Sequence, residues 1–548
     1  MNGTAKKSPP PELTQRQRQI LKLLQAGKVN KEVARELDIG VGTVKQHIVA
    51  LFKKLNVSNR AMAVSRGMDI MHEQESRGSA LTVDGLLERR PCVVLSIALP
   101  EDANLMAVRL MHGTLAALAA ANDAVFLARK GNAGDVIFGI QRVTEYDLAI
   151  ALQTACAVHD DLLGLDVAIA GKMRGCLTAG LAVASMKRFG GWTGEAIASA
   201  AIAAARDLLQ DVQSGWLAFD AAAMDLMEVF GIGAQHEVLP NVSFDELKRL
   251  QWTGSRRSYH LVGREAELAT LDAALNEAVA GRGKLVHIEG EMGMGKSRLC
   301  EEVFRNVLAR NGIAAFYRGL PAVLGKQVYD IGRGVDCSLE DVTARLCAPL
   351  AGFPDAVIVD DFHLLDKEQQ AQLSSAAAKA VEQGRLVIFS GRRGLYGSGD
   401  CAAETIALRR LPAESIEALV RESLAASSAK VASVLVKEIS DMAAGVPLFA
   451  AELARHREVE RLALPLLVAI NARLDSLSLD RNLLRTIAKS SVNTTLAETA
   501  ATMGEDAESL RQQVERTVAA GVFTWGTNGW ISFTHPLLRL VIDSLVME

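Results

Sequence analysis

Along the first 70 residues, apolar positions recur at helical spacing. Ile20, Leu23 and Leu24 are followed by Val33, Ala34 and Leu37. Val44, Ile48, Leu51 and Leu55 then fall at i, i+4, i+7 and i+11, which marks one buried stripe. Thr14 is placed to cap the first helix and Gly27 to stop it, and residues 38–42 predict a turn. From Pro91 the texture changes. Val93 to Ile97 reads as a strand, an alanine-rich helix follows over roughly 102–121, and Asp135 to Phe138 reads as another strand. Between Leu285 and about Gly394, short apolar runs alternate with helical patterns, which predicts a parallel sheet. After Leu411 the pattern is helical up to a short strand pair near Val522–Phe533. Residues 1–11 predict a flexible or polyproline tail, and polar stretches at 72–90 and 231–256 predict linkers.

Composition narrows the class. A chain of 548 residues is too long for one core, and at roughly 150 residues per domain it predicts three or four. Hydrophobic residues make up 49% and charged residues 23%, which excludes wholesale disorder. No uninterrupted apolar run reaches about 18 residues, so no membrane span is expected. Met1 to Pro11 has lysines but no apolar core, so no secretory leader is expected. Seven scattered cysteines without a CxxC pair argue against a disulfide scaffold or zinc site and for a reducing, cytoplasmic setting. The net charge of −4 hides an asymmetry: residues 1–66 carry 13 Lys+Arg and 4 Asp+Glu, or +9, which leaves −13 for the remainder. A small basic head on an acidic body predicts one nucleic-acid-binding module.

In that head, Val44, Ile48 and Leu51 turn inwards, which leaves Lys45, Gln46 and Val49 outward near a helix start. Early residues of a recognition helix meet base edges in the major groove. Residues 13–64 resemble the LuxR-type helix-turn-helix. The resemblance implies that Lys45, Gln46 and Val49 face double-stranded DNA and that Lys31, Thr43 and Arg60 contact phosphates. It departs from the family at Gly40, where a serine is usual, and at Gln17, where a glutamate is usual.

Residues 91–230 resemble the class III nucleotidyl cyclase domain. The carriers are Gly134-Asp135-Val136-Ile137-Phe138-Gly139, Arg174-Gly175-Cys176-Leu177-Thr178-Ala179-Gly180 and Gly194-Glu195-Ala196-Ile197-Ala198-Ser199-Ala200-Ala201. Cyclisation needs two carboxylates for two metal ions. Only Asp135 remains, Ser96 stands near the place of the first metal aspartate, and Ala198 and about Ile202 stand where the family carries its Asn and Arg. The expectation is a cyclase fold without cyclase chemistry, kept for dimerisation or ligand binding.

Gly290-Glu291-Met292-Gly293-Met294-Gly295-Lys296-Ser297 fits G-x-x-x-x-G-K-[ST] between an apolar run and a helix that begins near Arg298. Glycines let backbone N–H groups face phosphates; Lys296 would reach the β- and γ-phosphates of ATP, or the β-phosphate of ADP, and Ser297 would ligate Mg2+. About 65 residues on, Ala356-Val357-Ile358-Val359 ends in Asp360-Asp361. Asp360 would hold Mg2+, and Asp361 would orient or deprotonate the attacking water, which predicts slow ATP hydrolysis. The strand Leu386–Ser390 leads to Arg392 and Arg393. One of these would sense the γ-phosphate, the alternative being a solvated pair.

These parts resemble the STAND class of signal-transduction NTPases over about 290 residues. Val262, Gly263 and Arg264 match its block beside the base, and Gly445-Val446-Pro447-Leu448-Phe449 matches its helical lid, with Pro447 near the nucleotide. Residues 461–548 look like its winged helix. His535 matches a histidine that in some members contacts the β-phosphate of ADP; a capping or core histidine is the competing reading. The expected architecture is multidomain α/β: an all-α head (12–71), an α+β cyclase-like domain (91–230), a P-loop core (257–400), a helical lid (401–460) and the winged helix. The head is N-terminal here, and the helical-repeat sensor common in the class is not expected, so the input is expected through the cyclase-like domain, through a signalling partner, or from nucleotide balance itself. The whole reads as a transcription regulator switched by ATP/ADP state, with nucleotide-dependent self-association. The alternatives are a signalling cyclase with DNA-linked control and an ATP-binding scaffold.

Overall fold

The computed structural model describes residues 85–129, 131–230, 232–233, 240–247, 251–252, 261–320, 328–350, 354–392, 403–425, 433–456, 462–490, 494–526 and 529–547. The chain divides into two units, Met1–Asp84 and Gly85–Glu548. The head expected over 12–71 lies outside the described residues, and so does Arg393.

The second unit opens on a mostly antiparallel sheet. Its strands are β1 (Leu86–Ala98), β2 (Val125–Ala128), β3 (Ala133–Phe138), β4 (Arg174–Met186), β5 (Trp216–Phe219) and β6 (Asn241–Ser243), in the order β2-β3-β1-β4-β5-β6. The pair Ala198–Ser199 adds to β4 off this path. Helices α1 (Leu105–Ala121), α2 (Asp147–Leu165), α3 (Ala200–Asp211) and α4 (Ala221–Phe230) cover the sheet. The alanine-rich helix starts at Leu105 because the Asn104 side chain accepts from the Ala107 N–H, a cap that ends the extended segment. By length and composition α2 could cross a membrane, yet Leu148, Ala151, Ala155, Val158 and Leu162 are core residues of this domain.

Two boundaries differ from the expectation. Residues 86–90, read as linker, pair with β4 from Leu86↔Met186 onwards. Their charges hid them: Glu88 and Arg90 are buried because ion-pair partners lie far along the chain. Residues 241–247, read as linker from the Gly and Pro around them, form β6 and a short helical turn instead. They carry Val242, Phe244 and Leu247 into the core, with Phe244 stacked on His159 at 5.0 Å.

The next sheet has the predicted parallel character. Its strands are β7 (Lys284–Glu289), β8 (Ile313–Gly319), β9 (Val328–Asp330), β10 (Val335–Cys337), β11 (Asp355–Asp360), β12 (Leu386–Gly391) and β13 (Glu404–Ala407), in the order β10-β9-β8-β11-β12-β7-β13. Only β9 runs against the rest, pairing antiparallel with β8 on one side and β10 on the other. Val357, Ile358 and Val359 are all fully buried, as expected of a strand covered on both faces. The cover comes from α5 (Glu265–Val279) and α6 (Lys296–Ala309) in one core, and from α7 (Leu339–Cys347) and α8 (Lys367–Glu382) in another.

Helices α9 (Ala413–Ala425), α10 (Ser433–Ala443), α11 (Pro447–His456) and α12 (Leu464–Leu477) follow. Then come α13 (Arg481–Lys489), β14 (Thr494–Thr495), α14 (Leu496–Met503), α15 (Ala507–Ala519), β15 (Phe523–Trp525), β16 (Trp530–Phe533) and α16 (Pro536–Leu545). The predicted strand pair is β15–β16, and β14 adds a third strand against β16. Helix α12 belongs to two cores at once. Val468 and Ala472 join that of the first sheet, whereas Leu466, Leu467, Ile470 and Leu474 join that of the C-terminal helices.

Candidate nucleotide site

The phosphate loop is built by the turn from β7 into α6. Gly293 and Gly295 adopt φ of 74° and 90°, the left-handed region that glycine enters without cost. At Gly293 a Cβ would also stand 2.9 Å from the Leu448 Cβ. No side chain caps α6, so its N-terminal N–H groups and dipole remain for an anion. Lys296 is 8% exposed, and its Nζ donates to the carbonyls of Gly290 at 3.1 Å and Glu291 at 3.0 Å. These are partners a phosphate oxygen can replace.

The two predicted acids meet this loop. Asp360, fully buried at the end of β11, accepts from Arg318 Nη2 at 3.2 Å and from the Ser390 hydroxyl. Burial opposes its charge, but Arg318, with hydrogen bonds from Ser390 and Ser297, holds it below the usual carboxylate range. Ser297 and Asp360, the expected Mg2+ ligands, are therefore in contact. Asp361 leaves the strand at φ 52°. Burial, with the charge of Asp360 beside it, pushes its carboxyl up to about 7. One acid is thus kept ionised for a cation, while its neighbour can exchange a proton near neutrality.

The Nε of Arg318 is buried without a hydrogen-bond partner, 3.8 Å from Asp361 Oδ2. Such a donor costs about 1–3 kcal/mol, which a bound anion or water relieves. This orphaned donor, the uncapped helix and the exchangeable Lys296 bonds fit a nucleoside phosphate with Mg2+. Ser297 and Asp360 would hold the ion and phosphate oxygens would complete its shell.

A cavity of about 330 Å³ joins these groups; Met292 to Arg298, Arg318, Asp361, Arg392, Val262, Arg264 and Pro447 line it. Arg264, 4% exposed, donates through Nη2 to the carbonyls of Met294 (3.1 Å) and Arg409 (2.8 Å), so it ties the loop to the chain entering the lid. Gly263 has φ 67°, and a Cβ there would meet Ser415 Oγ at 2.5 Å. The Leu448 N–H, next to Pro447, donates to the Gly293 carbonyl at 3.2 Å. The Glu291 carboxylate pairs with Arg473 on α12 at 3.1 Å. His535 is not in the cavity lining. It caps α16, with Nδ1 accepting from the Leu537 N–H at 3.1 Å and Nε2 3.0 Å from the Ala443 carbonyl. Both ring nitrogens are engaged, as in the capping reading.

Sequence reasoning missed several residues here. Arg318 is a lone cation at the end of β8, and Ser390 is a lone hydroxyl at the end of β12; their polarity after apolar runs was the available signal. Glu145, Tyr146 and Phe230, from the first domain, also line the cavity, and nothing local announces them.

In that first domain Asp135 pairs in register with Ser96, whose hydroxyl donates to it at 2.6 Å. Arg129 Nε and Arg206 Nη2 stand 3.3 Å from its two oxygens. Both carboxylate oxygens of Asp135 thus face cations. Among the described residues no group of three His, Cys, Asp or Glu side chains could hold a metal.

Residues 11–66 match the model of bacterial regulatory proteins of the luxR family, and residues 260–328 match that of the AAA ATPase domain. The CsgBAC operon transcriptional regulatory protein of Escherichia coli is 49% identical over 57 residues, 10% of this chain and 26% of that protein. The HTH-type transcriptional regulator MalT of Vibrio cholerae is 42% identical over 59 residues, 11% of this chain and 6% of that protein. The chain thus spans about a quarter or less of these relatives. Among solved structures, the Holliday junction branch migration motor RuvB of Thermotoga maritima aligns with half of this chain and 92% of its own, at 19% identity and a TM-score of 0.30. The chain joins a LuxR-family helix-turn-helix segment to an AAA-type P-loop ATPase segment.

Proposed function

We propose that this protein is a DNA-binding transcription regulator whose head is controlled by the ATP/ADP state of a STAND-type ATPase module. The observation that carries the reading is the phosphate loop with Lys296, Ser297 and Asp361 lining one cavity and Asp360 buried against Ser297, in a chain that also bears the LuxR-family segment. Lys296 binds the phosphates, Ser297 and Asp360 hold Mg2+, and Arg392 senses the γ-phosphate. Mg2+ held by Ser297 and Asp360 would supply charge neutralisation at the phosphates. Asp361, with its raised proton affinity, orients the water and takes its proton. In the ADP form the helical lid (α9–α11) and the winged helix (residues 461–548) stay closed on the core. ATP and a signal open them for self-association, which raises effective DNA affinity by pairing heads on half-sites.

The first domain is read as a cyclase fold that no longer cyclises. The pairing of Asp135 with Arg129 and Arg206, opposite Ser96, supports this, and it disfavours the signalling cyclase alternative.

Selection of DNA sites from a random pool by the full chain, with ADP and with a slowly hydrolysed ATP analogue, tests the reading. Enrichment of one sequence, stronger with the analogue, is expected. Lys45→Ala or Gln46→Ala should relax the sequence choice, and Lys31→Ala should weaken all sites alike. Equal retention of every sequence in both nucleotide states would leave only an ATP-binding scaffold.

A further inference from the structure

The nucleotide cavity is not closed by the ATPase segment alone. Glu145 and Tyr146, from the loop that enters α2 of the first domain, share its lining with Lys296, Ser297 and Asp361. Glu145 Oε1 lies 3.7 Å from Arg392 Nη2, and its side chain is 21% exposed. Tyr146 is half-buried, and desolvation followed by the nearby Asp361 and Glu145 charges pushes its phenol well above the ordinary value. An acid and a half-buried aromatic from another domain thus stand at the phosphate end of the site.

The loop that carries Glu145 is held at several points. The Gly139 carbonyl accepts from Arg90 Nε at 3.1 Å. The Val143 N–H donates to Asp475 Oδ2 at 2.7 Å. The Thr144 N–H donates to Asp147 Oδ2 at 3.1 Å, which fixes the turn just ahead of Glu145. Asp475 is itself clamped by Arg90 and Arg481. Helix α12 bears Asp475 and also Arg473, the partner of Glu291 in the phosphate loop. One helix therefore anchors both the Glu145 loop and the phosphate loop.

The cavity is lined by Arg264, Lys296, Arg298, Arg318 and Arg392 against Glu145, Asp361 and Glu452, and Glu145 is the acid beside Arg392. A terminal phosphate recruited by Arg392 must take that guanidinium from Glu145, because two anions on one exposed-side arginine repel each other. A diphosphate makes no such demand. We infer that Glu145 is a specificity-determining residue of the nucleotide site, an anionic competitor for Arg392 that favours a nucleoside diphosphate over a triphosphate. The inference rests on the nucleotide-binding reading above. It also gives the first domain a direct sense of nucleotide state: a triphosphate that wins Arg392 frees the Glu145 end of a loop whose other end is pinned to α12.

The test is calorimetric titration of the full chain with Mg2+ and either ADP or a slowly hydrolysed ATP analogue. Glu145→Gln keeps the shape and removes the charge. It should tighten the analogue about ten-fold while it leaves ADP within about two-fold, in the usual range of couplings between sites. Arg392→Ala should erase that difference, so that adding Glu145→Gln to it changes neither affinity. Thermal melting of each variant separates folding from binding, and Glu145→Asp should keep most of the wild-type preference. If Glu145→Gln shifts both nucleotides equally or neither, the inference is overturned while nucleotide binding stands. If the wild type binds neither nucleotide, or if Lys296→Ala binds as well as wild type, the underlying reading fails instead.

Discussion

At His535 the ring is 2% exposed, edge-on to Phe449 at a centroid distance of 5.2 Å, and both of its nitrogens are engaged. The pattern fits only the neutral tautomer, with Nε2–H donating to the Ala443 carbonyl and Nδ1 accepting from Leu537. Burial lowers its proton affinity to about 4 from an ordinary 6.5. The unfolded chain therefore binds the extra proton between those values. Stability from His535 is full above about 6.5 and is lost as pH falls towards 4. His535→Asn, which can keep the cap but not the reach to Ala443, should cost about 1–3 kcal/mol at neutral pH. The deficit should shrink by pH 5, read from urea midpoints at the two pH values. An equal deficit at both would place the effect in packing alone. The same residue shows what a motif conveys. The residues around His535 matched a family block, but whether the ring reaches a ligand or a carbonyl depends on Ala443, 92 positions away. Lys296, Ser297 and Asp360 were legible because a phosphate loop is contiguous and its partner acid ends an apolar strand. Arg318, Ser390 and Glu145 were not, since each acquires its role from a contact between distant segments.

Elements with one dominant period were readable. The alanine-rich helix, β7, β11 and β12 lie within a few residues of their predicted positions, because burial on a fixed face or on both faces writes itself into the apolar pattern. The start of β1 was hidden, because Glu88 and Arg90 look like solvent residues until Arg481 and Asp475 are brought against them. That seam gives an element-scale prediction. Arg90 has no exposed side-chain surface and Asp475 has 5%. Burial opposes the charge of Asp475, yet Arg90 and Arg481 hold its proton affinity below the usual range. Asp475→Ala strands Arg90 in the interior and should destabilise the protein by about 3–5 kcal/mol in urea unfolding. The double replacement Arg90→Met with Asp475→Leu should recover part of that loss, because an apolar pair leaves no charge uncompensated. A single variant as stable as wild type would mean that water or Glu88 already supports Arg90 alone.

For the molecule as a whole, α12 is the common element. It contributes to two hydrophobic cores, contacts the phosphate loop through Arg473 and holds the first domain through Asp475. Arg455 on α11 adds ion pairs to Asp225 and Glu228 on α4, so lid and first domain are joined as well. The central claim is that nucleotide state controls assembly. Its most direct test is the solution mass of the full chain by light scattering, with ADP and then with a slowly hydrolysed ATP analogue, beside Lys296→Ala. The account predicts a mass that rises with the analogue only, and only while Lys296 is present. A mass unchanged between the two nucleotides, or a rise that persists in Lys296→Ala, would contradict it.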